Sequence, residues 1–301
     1  MVSIRRMATP PVFTPAGYGL LSVAEPADDT DLHWRNGVQF EPAHCGPALN
    51  MASVCVTGGA EKDPLDDAVP IRGADPFTVY AWLDCSPIGW TPQQWRDMTV
   101  EALRNNEPAA VEAVFWTGAV AGATIYPHLA ADTAVNETGV GPAVNLQTAA
   151  SVIVTGAVDI VEAVGALEGA MAGCYGGTPT LHMTRETAAH ADQYGLLRRQ
   201  GAQLTTLLGS KVAAGLGYPG TAPDGTDPAD GVAWMYATGA VKYWRSPVET
   251  TGRSPAEWIG RAANDQVLIA ERTYVIGWDC CHFAIPVALG GAITGTAGEP
   301  T

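Results

Sequence analysis

Apolar and polar residues alternate most strictly over residues 75–84 (DPFTVYAWLD), where Phe77, Val79, Ala81 and Leu83 interleave with Thr78, Tyr80 and Trp82. A period of two marks a strand with one buried face, so this is the strongest predicted strand. Residues 50–57 (NMASVCVT) predict another. The acidic, turn-rich segment between them ends in VPIRGADP, which makes the pair a long hairpin held off a compact body. At residue 91 the period changes. Thr91, Pro92 and Gln94 form a capping-box arrangement. Trp95, Met98, Ala102, Leu103, Ala109, Ala110, Ala113 and Val114 then recur at helical spacing. Gly118 stops this helix after Phe115 and Trp116, and Pro108 should kink it or split it in two. At 1.5 Å per residue its span approaches ~40 Å, long for a domain of this size.

Residues 118–147 read as loop and 151–154 as a short strand. Asp159 opens a second helix with Ile160, Val164, Leu167 and Met171 on one stripe. Gly165 and Gly169 each weaken that helix by roughly 1 kcal/mol relative to Ala, so close packing is expected along their side. The block 178–241 follows. An apolar run (180–183) enters a capped helix (184–194) that stops at Gly195. A basic patch, a strand over 207–212, a YPG turn at 218–220 and an aromatic strand (GVAWMYATGAVKYW) complete it. Two β runs, 266–270 and 282–288, close the chain before a glycine-rich tail. Residues 1–48 have poor periodicity. Phe13, Tyr18, Leu20, Leu21, Trp34 and Phe40 are nevertheless too apolar for a solvated tail. They predict an extended arm with short strand pieces, such as 19–23, that needs a partner surface.

Composition sharpens this picture. Of 301 residues 47% are hydrophobic and only 16% charged, so part of the apolar surface should meet other protein. The net charge of −15 argues against a groove that grips DNA or RNA, which needs clustered Lys and Arg. An acidic wall around nucleic acid remains compatible with it. The start, MVSIRRMATPPVF, lacks the apolar core of a signal peptide, and no apolar run reaches a membrane span. The six cysteines are therefore expected as free, buried thiols in a reducing compartment.

No catalytic constellation stands out. Cys280, Cys281 and His282 invite a metal, but neighbouring strand residues face opposite ways and no C-x-x-C completes a site. They read as buried strand residues. Cys174, with His182 and His190 downstream, could be a nucleophile, yet no feature lowers its pKa. The Gly215–Leu216–Gly217 pattern lacks a phosphate-binding helix, because the Pro219–Gly220 turn blocks it. Asp28–Asp29 and Asp66–Asp67 read as solvated loop carboxylates. No catalytic, cofactor or metal site is assigned. Arg198–Arg199 is expected to meet an acidic patch on a neighbouring subunit or to sit in a solvated turn, and Arg5–Arg6 is left open between nucleic acid and a subunit.

The order of these segments resembles the major capsid proteins of tailed bacteriophages, an α+β fold shared with encapsulin shells and the floor of herpesvirus capsids. The resemblance rests on the arm, the hairpin, the helix ending in FWTG, the run LHMTRETAAHADQYGLLRRQGAQLTTLLGSKVAAGLGYPG, and QVLIAERTYVIGWDCCHFAIPV. Each motif is weak alone; their order carries the match. It implies an N-terminal arm (1–48), an extended loop (49–83), a peripheral domain (84–145) with a spine helix at 91–116, an axial domain (146–244), and a return to the peripheral domain (245–301). FWTG and WDCCHFA are similar to segments of phages that infect actinobacteria.

The function implied is self-assembly into pentamers and hexamers of an icosahedral head around double-stranded DNA. No cofactor, enzymatic activity or membrane is implied; partners would be further copies, a portal, and separate scaffolding or decoration proteins. Lys62, in the extended loop, is where some family members carry a cross-linking lysine; a solvated lysine is the default. An encapsulin-like shell or minor head protein, and a Cys174-dependent hydrolase, are the alternatives. The expected subunit-facing residues are Phe13, Tyr18, Lys62, Tyr194, Leu196, Arg198, Arg199 and Tyr218, with the 218–230 loop. Pro108, Gly165 and Gly169 are expected hinges that let one sequence serve both rings.

Overall fold

The computed structural model describes residues 13–28, 31–42, 71–85, 91–138, 143–251, 259–260 and 265–290. The expected strand at 50–57, and with it the hairpin, lies outside the described residues, as do Lys62, Asp66–Asp67, Arg5–Arg6 and the tail. Four α-helices occur among the described residues: α1 (Leu20–Val23), α2 (Pro92–Thr117), α3 (Ile160–Cys174) and α4 (Arg185–Gln193).

Local chemistry sets the helix ends. Thr91 Oγ1 accepts from Gln94 N, while Gln94 Oε1 accepts from Thr91 N, closing the capping box of α2. Asp159 accepts from Val161 N and Glu162 N at the start of α3. Thr184 accepts from Thr187 N at the start of α4. Helix α2 runs unbroken through Pro108 for 26 residues and ends on left-handed Gly118.

Among the described residues two large sheets flank the end of α2. One has six strands around the 14-residue strand Asp265–Trp278. That strand pairs antiparallel with Pro76–Cys85, Val241–Arg245, Glu249–Thr251 and Ile259–Gly260. Glu25–Pro26, from the N-terminal segment, adds parallel to Val241–Arg245. The other sheet has seven strands in the order Leu197–Gln200, Gln203–Thr206, Lys211–Gly215, Thr180–Thr184, Val232–Thr238, His282–Ala288, Ser151–Val152. Its central strand reads TLHM rather than alternating because both faces are covered. On one face Leu181, Met183, Met235, Ile285 and Val287 pack against Ile160, Ala163, Val164, Leu167 and Met171 of α3. The residues between them, Ala213, Tyr236 and Ala284, face Phe115 and Trp116 of α2. Burying each large apolar side chain contributes about 1.5–3 kcal/mol.

The strand at 76–85 follows its alternation, with Phe77 and Val79 buried and Tyr80 and Trp82 exposed. Arg272 of its partner strand donates to Glu107 of α2 at 2.7 Å, a largely buried ion pair that fixes the helix on the sheet.

Several expectations need correction. Residues 19–23 form the short helix α1, not a strand, because Ser22 N and Ala24 N turn back to Gly19 O and Leu20 O. The LLG segment is a turn between strands: Thr206 N bonds Ser210 O and Gly209 N bonds Thr206 O. The aromatic strand is two strands, Val232–Thr238 and Val241–Arg245, which leave one sheet and enter the other at Gly239 and Ala240. The first of the two final β runs is longer than expected, since ERTYVIGW belongs to the strand Asp265–Trp278, while His282–Ala288 keeps its expected bounds. Cys280 and Cys281 lie in the turn after it, not in a strand. Cys174 and Cys281 are joined as a disulfide, against the expectation of free thiols.

Candidate functional site

The sequence marks Phe115 and Trp116 only as the end of a helix. In the fold they are the wedge between the two sheets. Trp116 is fully buried, donates from Nε1 to Thr221 Oγ1 at 2.9 Å, and packs tilted against Tyr218 and edge-to-face against Tyr236. Phe115 meets His182 of one sheet and Trp278 of the other.

One turn earlier, Glu112 ties three segments together. Its Oε1 accepts from Leu20 N at 2.9 Å and its Oε2 from Gly217 N at 3.0 Å. This carboxyl's pKa is raised, chiefly by burial, against the downward pull of its backbone donors and the nearby Arg185. The approach demands glycine. A Cβ on Gly19 would lie 2.0 Å from Glu112 Oε1, and one on Gly217 would lie 1.9 Å from Ala109 O. Around this clamp the N-terminal segment is fastened by main-chain groups. Gly17 O accepts from Arg185, Tyr18 O from Ala214 N, Ser22 O from Gln203 and Val23 O from Lys211.

The expected catalytic elements do not assemble into a nucleophilic site. Cys174 is bonded to Cys281 and offers no thiolate. His182 is fully buried between Tyr218 Oη (3.1 Å) and Thr238 Oγ1 (2.9 Å). Burial lowers its pKa to about 3, helped by the neighbouring His282. His282 contacts Thr148 O at 3.1 Å and is lowered to about 4, chiefly by burial. Both imidazoles are neutral core residues at pH 7. No three His, Cys, Asp or Glu side chains among the described residues are grouped as metal ligands. No helix among them is long and apolar enough to cross a membrane.

The expected subunit-facing residues separate into two groups. Tyr194 (61% exposed), Phe13 (48% exposed) and Arg198 face solvent, and Leu196 is half-buried. Arg199 is exposed but lies over the ring of Tyr18 at 5.9 Å, so two residues expected to reach a neighbour meet each other. Tyr18 also packs against the core of the seven-stranded sheet. Tyr218 is 6% exposed and its ring fills the core beside Trp116, which corrects its assignment to an interface.

Gly165 and Gly169 also depart from expectation. A Cβ at either would meet nothing within 4 Å among the described residues, so none of these packs closely there. Instead they floor an open groove of about 510 Å³ bordered by Val161, Leu196, Leu207 and Leu208. The two leucines are 52% and 81% exposed. Their turn is held by Glu168 of α3, which accepts from Thr206 Oγ1 at 2.6 Å and from Ser210 Oγ at 2.8 Å. The sequence shows the LLG triplet, but only the strand pairing shows that it projects.

No protein-family model and no curated protein matches the chain. Solved structures do. The capsid of Ralstonia phage GP4 matches with a TM-score of 0.53 at 9% identity, over 100% of this chain and 97% of that one. The capsid of an empty GTA particle, computed with C5 symmetry, matches at 0.51 and 13% identity over 95% of both chains. The capsid of the native GTA particle matches equally well. The chain therefore has the mixed α+β fold of these phage and particle capsid proteins along essentially its whole length.

Proposed function

We propose that this chain is a shell-forming structural protein, the major capsid protein of a tailed bacteriophage, which assembles with further copies of itself. The likeness to capsid chains over the full length of both partners carries the reading. The residues agree with it. Apolar side chains at Leu207, Leu208, Tyr194 and Phe13 are left outside the subunit's own core, as a protein that completes its burial by association requires. A Cys-dependent hydrolase would need a free thiol at Cys174, where a disulfide stands.

On this reading residues 1–48 are an arm, 49–83 an extended loop, 84–145 and 245–301 a peripheral domain, and 146–244 an axial domain that gathers at symmetry axes. The net charge of −15 suits a wall that encloses DNA without gripping it. Portal, scaffolding and decoration proteins are the further partners this role calls for. The test is to express the chain, purify it by size exclusion and image it by negative stain. Closed shells support the reading, and small shells filled with a protein cargo would redirect it to an encapsulin-like compartment. A monodisperse monomer under all assembly conditions overturns both.

A further inference from the structure

Two chain crossings join the large sheets side by side. Val232–Thr238 and His282–Ala288 pair in the seven-stranded sheet, and their continuations Val241–Arg245 and Asp265–Trp278 pair in the six-stranded one. Between the rung Thr238–His282 and the rung Val241–Trp278, Asp279, Cys280 and Cys281 oppose only Gly239 and Ala240. One extra residue on one strand bends a ribbon, and here the bend carries it from one sheet into the other. Cys281 has a left-handed backbone (φ 59°), which a non-glycine residue keeps only where its surroundings impose it. The crossings touch: Gly239 N donates to Cys280 O at 2.8 Å, and a Cβ on Gly239 would lie 2.0 Å from Asp279 Oδ1.

The end of α3 holds both crossings through two consecutive residues. Cys174 is bonded to Cys281. Tyr175 Oη accepts from Ala240 N at 3.2 Å and is hydrogen-bonded to the Asp279 side chain. A cleft of about 380 Å³, lined in part by Tyr175, Ala240, Trp278 and Asp279, opens beside the bend and leaves it room to move. Cys174 and Cys281 are half-buried, within reach of a small thiol. The adjacent Cys280 is disulfide-bonded as well, but it is 2% exposed.

We infer that the Cys174–Cys281 bridge is a reversible redox clamp on this bend. Oxidised, it fixes both crossings to α3 and holds the two sheets in one relative orientation. Reduced, it leaves the crossings held by hydrogen bonds alone and frees the bend to flex. Closing it takes one electron and one proton from each thiol. A small-molecule disulfide such as oxidised glutathione accepts them through a mixed disulfide and leaves as two thiols; a dithiol reductant runs the same exchange backwards. The inference concerns the single chain and stands apart from the shell reading.

The full chain, purified without reductant, is treated with dithiothreitol under native conditions, alkylated and mapped by mass spectrometry. Cys174 and Cys281 should take up the label, and Cys280 should not, while circular dichroism stays native. Hydrogen exchange over 238–241 and 278–282 should rise by about tenfold or more, with 111–116 of α2 unchanged. The melting temperature should fall by on the order of 10 °C, because the bridge closes a separation of 107 residues. Oxidised glutathione should restore all of these. The double variant Cys174→Ala, Cys281→Ala should behave as the reduced wild type and no longer respond to dithiothreitol. A bridge that yields only when the chain unfolds, unchanged exchange at the crossings after reduction, or a double variant that responds as the wild type does overturns the clamp.

Discussion

The two ends of the seven-stranded-sheet unit show how differently one chain treats its buried and unburied sides. At the junction with α2, every close approach is made within the chain: Trp116 fills the space between sheets, and Glu112 satisfies two main-chain donors from distant segments. On the outer side of α3 the same chain leaves glycines against open space and leucines in water. The first pattern minimises the free energy of the folded monomer. The second raises it, which is understandable only if the surface is completed later by something else. Side chains at the junction should therefore govern stability, and those on the outer face should govern association.

Four substitutions or conditions sharpen this contrast. Trp116→Ala, at the centre of the junction, should lower unfolding free energy by about 3–5 kcal/mol through the cavity it opens, read as a shift in urea midpoint. If the shift is no larger than that of an exposed aromatic such as Tyr194→Ala, the junction is not the keystone described.

Glu112→Ala removes the acceptor for Leu20 N and Gly217 N. With each stranded donor costing about 1–3 kcal/mol, a loss of about 2–6 kcal/mol is expected. It should be accompanied by faster proteolysis around residues 13–28, and unchanged cleavage there would argue against a clamp.

Acid should weaken the junction as well. His182 and His282 are held neutral, with pKa values lowered to about 3 and about 4 from an ordinary value near 6.5. The unfolded chain takes up these protons first as pH falls. Their stabilising contribution is therefore complete above pH ~6.5 and declines through the window from there to ~4, by about 1.4 kcal/mol per pH unit for each imidazole. Equilibrium denaturation of the wild type and of His182→Gln across this window checks it, since the variant should show the shallower slope.

The smallest effect has the opposite sign. Gly165→Ala on the outer face meets no neighbour among the described residues and restores helix propensity, so the isolated subunit should be stabilised by about 1 kcal/mol. A destabilised subunit would mean that the stripe is packed within the chain after all.

Much of the skeleton was legible because it is written locally. The Thr91–Gln94 box, the Asp159 cap and the alternation through Phe77 and Val79 depend on residues a few positions apart, and each is present as expected. The interface candidates were legible only in part. Tyr194 and Arg198 are exposed, but Tyr218 is core and Arg199 lies over Tyr18, because the turn at 215–218 folds inward onto α2 and the N-terminal segment occupies the adjoining surface. Glu112 carried no signal at all. Its partners lie 92 and 105 residues away, and nothing in the helical pattern around it distinguishes a buried clamp from a surface carboxylate.

The sequence by itself determined the three longer helices, their caps, the strongest strand, the acidic and weakly charged surface, and the order of segments, since propensity, periodicity and charge are short-range or additive properties of the chain. Only the tertiary structure decided where the aromatic strand passes from one sheet to the other, that Cys174 meets Cys281, that Trp116 is a wedge, and that Leu207 and Leu208 project beside an empty glycine groove. Those outcomes depend on which distant surfaces meet. That is fixed when the whole chain collapses around a shared core and is encoded in no single stretch of it.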